Sequence, residues 1–155
     1  MTWRLGWAVW SLAAISYVAF LGVLASNGRL ARLGLLAATV GLAVDLAGQT
    51  ALVMSAVEDL SIHRGLHGWG VEATTTVANS LYVVGGALTV VAARRESILP
   101  RLVAWASVPV WASGMGLSIA HGVSSGTATV AFATALVVTL SAWLAWVGGW
   151  AWRAS

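Results

Sequence analysis

The chain has 155 residues, of which 59% are apolar and 8% charged, whereas soluble domains carry about a quarter charged. A mean hydropathy of +0.87 places it in a membrane. Cysteine is absent, which excludes disulfides, thiolate nucleophiles, iron–sulfur ligation and c-type haem attachment. Lysine is absent too, which excludes Schiff-base chemistry such as a retinal pigment or a pyridoxal enzyme. The net charge of +3 comes from eight arginines standing singly or in pairs, not from the basic stripe of a nucleic-acid surface.

A membrane helix needs about 20 mostly apolar residues. The chain offers five such runs, at about 6–26, 33–57, 70–93, 102–120 and 127–150. The first is too long for the apolar core of a signal peptide and shows no clear cleavage motif, so it reads as a retained helix. The last two share one uncharged stretch, divided at His121–Gly126 by a cluster of turn formers. Pro109 is expected to kink the fourth run. Lipid gives the backbone no hydrogen-bond partners, so the spans are helices. The expected fold is an all-α, polytopic five-transmembrane-helix bundle forming a single domain.

The arginines give it a direction. Arg29, Arg32, Arg94, Arg95, Arg101 and Arg153 fall on one side, and only Arg4 and Arg64 on the other. The positive-inside rule puts the N-terminus outside and the C-terminus in the cytoplasm. Trp3, Trp7, Trp10 and Trp69 then fit an outer aromatic belt, and Trp150 and Trp152 an inner one.

Two polar concentrations remain. Asp59, His63 and His67 are spaced four apart and share a face if the second helix continues outward. With His121 at the outer end of the fourth helix, they form a candidate site for a transition metal or haem. The bland alternative is a solvated polar loop. The spacing lacks the glutamate of a zinc protease.

The second concentration lies inside the membrane. Asp45 is near the middle of the second run, with Gln49 one turn on. A hairpin centred near Arg64 pairs residues whose numbers sum to about 128. That sets Gln49 level with Asn79 and Asp45 level with Tyr82, with Glu72 above them at the outer mouth. Asp45, Gln49, Glu72, Asn79 and Tyr82 are therefore the candidate ligand-binding residues. Interhelical hydrogen bonding explains amides well. An aspartate inside the membrane costs about 3 kcal/mol, and glue alone does not require one.

Gly34, Gly41 and Gly48 recur at seven-residue spacing, and Gly85, Gly86 and Gly114 add further small-residue faces. They read as surfaces for close helix packing, within the bundle or against a partner helix. Gly116–His121 lacks the last glycine of the intramembrane serine protease motif, and its serine and histidine are three apart on one helix.

The length, the five runs and the ten tryptophans are similar to the tryptophan-rich sensory (translocator) family, whose members bind porphyrins and sterols. The likeness implies architecture alone. The family's proline-rich first loop and later asparagine–tryptophan motif have no counterpart here, where the two prolines are Pro100 and Pro109.

Three functions fit these residues. The first is a multi-pass cell-membrane protein binding or transporting a proton, an ion or a small amphiphile in a polar pocket between the second, third and fourth helices. The second is a non-catalytic accessory subunit of a larger membrane complex. The third is a membrane-embedded enzyme with a metal at Asp59, His63, His67 and His121. Alternating access in so short a chain would call for a homo-oligomer, since such transporters are built from paired halves.

Overall fold

The computed structural model describes residues 2–25, 27–55 and 62–154, with side chains described for 9–25, 27–55 and 65–153. All regular structure within them is helical. The elements are α1 (Thr2–Leu24), α2 (Arg29–Ser55), α3 (Ile62–Glu72), a π-helical segment (Ala73–Ala78), α4 (Asn79–Arg95), α5 (Arg101–Trp105), α6 (Val108–Gly122) and α7 (Gly126–Ala154). Four helical stretches are long and apolar enough to cross a membrane: Arg29–Ser55, Gly65–Arg95, Arg101–Gly122 and Gly126–Arg153. The apolar stretch Val9–Leu24 of α1 is shorter.

The centre of the bundle is the continuous rod formed by α3, the π segment and α4. It contains the most buried of the four stretches. On one side it packs antiparallel against α2 through small residues. A methyl group on Gly34 would lie 2.7 Å from the Gly85 carbonyl oxygen, and one on Gly85 would lie 2.7 Å from the Ala38 nitrogen. Further along, Gly41 faces Ala78 and Leu81, and Gly48 faces Gly70 and Thr74. Such contact brings backbones together, which is how helices gain packing energy in lipid.

These contacts also correct the register. Facing residue numbers sum to about 120, not 128. The pairing of α2 with the rod is therefore centred several positions before Arg64. The reason is that α3 begins at Ile62, despite Gly65, Gly68 and Gly70. Each glycine costs about 1 kcal/mol relative to alanine in a helix, which alone argues against one here. Gly70 instead lies against the Gly48 carbonyl and Leu52.

The other side of the rod meets α1 and α6, and α7 packs against α6 beyond them. Here the contacts are aromatic. Trp143 is 2% exposed and donates its indole N–H to the Val103 carbonyl at 2.9 Å. Its ring meets Phe20 and Trp111 edge-on, each at 5.8 Å between centroids. Edge-on pairs place the positive rim of one ring on the negative face of the next.

Two helix ends close tightly. Ile98 N–H donates to the Ala93 carbonyl at 2.8 Å, and Ser125 N–H to the Ala120 carbonyl at 2.9 Å. Both are six-to-one closures requiring a left-handed residue. Ser97 and Ser124 supply it, at φ 60° and 56°, while no described glycine has positive φ. Pro109 enters α6 in its first turn, after a break at Ala106–Ser107. A missing N–H is harmless there.

Candidate binding site

Asp45 stands 16 residues beyond Arg29 on α2, about 24 Å along the axis, and is 1% exposed. Its Oδ2 accepts from the Tyr82 hydroxyl at 3.1 Å and from Trp10 Nε1 at 3.2 Å. Its Oδ1 has no partner among the described residues. Each such bond is worth about 1 kcal/mol, so two of them offset part of the cost of placing the carboxyl there. The helix directions explain how Tyr82 reaches it. Side chains lean toward the N-terminus of their own helix, so on antiparallel α2 and α4 the two side chains lean toward each other.

Gln49 is 4% exposed. Its Oε1 accepts from the Ser11 hydroxyl, and its Nε2 has no partner among the described residues. Asn79 turns elsewhere. Its Nδ2 donates to the Gly114 carbonyl at 2.6 Å and to Ser118 Oγ at 2.9 Å, both on α6. The single polar band expected from helical spacing is therefore two clusters. Asp45, Tyr82, Trp10, Gln49 and Ser11 join α1, α2 and α4. Asn79 and Ser118 join α4 to α6.

The π segment immediately precedes both on the rod, since Asn79 and Tyr82 each belong to α4. Thr74 Oγ1 donates to the Gly70 carbonyl at 3.0 Å, and Thr75 Oγ1 to the Val71 carbonyl at 2.6 Å. Hydroxyls returning to carbonyls a turn earlier compete with the backbone ladder, and this stretch adopts the wider π turn. The Ser118 hydroxyl lies 3.4 Å from the carbonyls of both Thr75 and Thr76. Thr76 Oγ1 is buried with no partner among the described residues.

Between the two clusters lies an apolar cavity of about 100 Å³, open on one side. Its walls include Trp10, Ala14 and Tyr17 of α1, Asn79 and Tyr82 of α4, Trp111 of α6, and Leu136 and Leu140 of α7. The expected site lay between the second, third and fourth spans. The cavity instead takes its walls from the first, third, fourth and fifth, and Asp45 stands behind them, bonded to two wall residues. Tyr17 donates to the Tyr82 carbonyl at 3.1 Å and meets the Tyr82 ring edge-on at 5.7 Å. Trp111 is fixed by its indole N–H, which donates to Ser107 Oγ at 2.9 Å.

The α1 wall was missed from sequence, although the signal was present. Trp10, Ala13, Ala14 and Tyr17 follow the i, i+3, i+4, i+7 pattern of a helix face turned to the core. Trp10 was expected in the outer aromatic belt. Its ring is 41% exposed, but its N–H turns inward to the carboxylate.

At the Glu72–His121 end, the described polar residues form two separate pairs. Glu72 Oε2 lies 3.5 Å from His121 Nε2, with the Glu72 side chain 52% exposed. An ion pair this open to solvent contributes little. His67 lies 3.2 Å from the Ser55 hydroxyl through Nδ1. Asp59 and the side chain of His63 lie outside the described residues. His63 and His67 both belong to α3, not to an extension of α2, which ends at Ser55 among the described residues. Among the described residues no three histidine or acidic side chains converge as metal ligands would.

The glycine surfaces face inward as well. Gly34 and Gly85 pack on each other's helices, and Gly114 lies against Val83. They serve the bundle itself and leave a partner helix no contact at those positions. No family model, no curated protein and no solved structure matches the chain, so the chemistry of the site rests on its own residues.

Proposed function

We propose that this chain is a small multi-pass protein of the cell membrane that binds a small amphiphile in the aromatic cavity, with Asp45 as the charge or proton its polar end meets. It crosses the membrane five times, N-terminus outside and C-terminus in the cytoplasm. The 23-residue length of α1 supports a fifth crossing, and the arginine asymmetry supports the direction.

The observation that carries the reading is the bonding of Asp45. It is buried, and its donors Trp10 and Tyr82 are both cavity walls. An apolar cavity of about 150 Å³ holds benzene; at about 100 Å³ and open on one side, this one suits part of a short chain. Four aromatic rings at the walls favour a partner with an apolar body and a cationic or hydrogen-donating end. A short-chain alcohol or amine has that chemistry.

The test is photolabelling in lipid vesicles with a diazirine-bearing octanol, read by peptide mass spectrometry. Labels are expected on the cavity-lining peptides around Ala13, Tyr17 and Leu136, and are expected to fall when Ala14→Phe fills the space. Even labelling of outward residues such as Val23, Val137 and Val138 would reject the cavity as a site. Asp45→Asn is expected to weaken labelling while leaving the folded protein in place. Unchanged labelling in that variant would remove Asp45 from the reading.

A further inference from the structure

A second cavity, of about 240 Å³, lies at the arginine-bearing end of the bundle, between the end of α4 and the α5–α6 break. The tight closure after α4 returns the chain within a few residues, which sets Arg94 and Arg101 on the same cavity wall. Ala87, Val91 and Val108 continue that wall, and Trp111 belongs to it as well. From Arg94 to Ala87 is seven residues of helix, about 10 Å. One leaflet's hydrocarbon is about 15 Å deep. The cavity therefore combines guanidinium groups at one end with an apolar trough whose length fits within a single leaflet. Glu96 sits in the connecting turn, but Arg94, Arg95 and Arg101 outnumber it.

We propose that this groove seats an anionic phospholipid of the arginine-side leaflet. Its phosphate lies between Arg94 and Arg101, and part of one acyl chain runs along Ala87, Val91 and Val108. Guanidinium forks match phosphate oxygens. Basic pockets between helices select anionic headgroups, whereas a zwitterionic lipid brings a cation that two arginines repel. This site is distinct from the aromatic cavity, but Trp111 is a wall of both. A lipid seated here touches the ring that bounds the other space.

Native mass spectrometry of the full chain in detergent, titrated with phosphatidylglycerol or phosphatidylcholine, tests the proposal. The anionic lipid is expected to bind at least about tenfold more tightly, at about fivefold for each arginine. Arg94→Gln and Arg101→Gln are each expected to weaken it about fivefold, while Arg153→Gln, at the same end of the bundle, leaves it unchanged. Val91→Trp, at an outward-facing position, blocks the trough without changing charge and is expected to reduce binding of the anionic lipid. Soluble glycerol phosphate is expected not to compete, because it lacks the chain. Equal affinity for the two lipids, or an Arg153→Gln effect as large as that of Arg94→Gln, would overturn the site. Competition by glycerol phosphate would reduce it to an anion site and overturn the lipid assignment.

Discussion

The two sides of the central rod are packed by opposite means. Toward α2 it presents glycine and alanine, and backbone meets backbone with no room for a methyl group. Toward α1, α6 and α7 it presents Tyr82, Val83 and Asn79, and large rings leave a cavity between them. The first side resists change because carbonyls and amides do not yield. The second accommodates change at the cavity, where ring edges leave space that a ligand or a larger side chain can fill, but not at Gly86, where a methyl group would meet the Tyr17 hydroxyl and the Trp111 ring. A rigid seam on one side gives the binding side a fixed floor.

The sharpest way to break this contrast is to add bulk on each side. Gly85→Leu is expected to cost about 3 kcal/mol, the upper end for overpacking, since the Ala38 nitrogen lies where its Cβ must go. Ala13→Leu, which points new methyl groups at the cavity wall, is expected to stay within about 1 kcal/mol. Thermal unfolding in detergent compares them. Equal losses would mean that the two sides pack alike.

The next test asks what holds the carboxylate. Asp45→Ala leaves the Tyr82 hydroxyl and the Trp10 N–H unpaired and is expected to cost about 2 kcal/mol. Asp45→Asn keeps an acceptor in place and is expected to cost less than half of that. If the two variants unfold together, the donors find other partners and the cluster is not a unit.

Asn79→Leu measures the neutral cluster on the opposite side of the cavity. Membrane hydrogen bonds average about 0.6 kcal/mol, so a loss of about 1 kcal/mol is expected for its two bonds. A double-mutant cycle with Ser118→Ala isolates the shared part. A loss larger than that of Asp45→Ala would reverse the ranking of the two clusters.

The smallest effect lies outside both sides and calibrates the scale. Ser97→Gly relieves a left-handed conformation that costs about 1–2 kcal/mol with a Cβ, against the backbone entropy of a new glycine. A net gain of about 0.5 kcal/mol is expected in the same unfolding assay.

Much of the framework was legible in the sequence because lipid imposes it. Apolar run length and backbone satisfaction make the chain helical and membrane-embedded, and a lone intramembrane aspartate singles out Asp45. Facing registers were less legible. Gly65 and Gly68 disfavour a helix, yet both meet open space within α3, and Gly70 fits against α2. The pairing was therefore centred several residues late. Trp10 shows a different limit. Tryptophan suits the interface and also carries a hydrogen-bond donor, and one chain cannot reveal which property the fold uses. Tyr17 was hidden for a simpler reason. Apolar positions occupy every face of a membrane helix, so periodicity marks the inner face only weakly.

The π segment carries a consequence for changes in chain length. An α-helix turns about 100° per residue, and a π bulge amounts to one extra residue accommodated within a turn. Deleting a single threonine from Thr74–Thr76 lets the rod close into uninterrupted α-helix and swings the portion below it by about 100° relative to α3. Tyr82 would rotate away from Asp45, and Asn79 away from Gly114 and Ser118. The composition of the rod would scarcely change, but its angular phase would. In this segment the number of residues matters more than their identity, because one added peptide unit sets the direction in which α4 presents Tyr82 and Asn79 together.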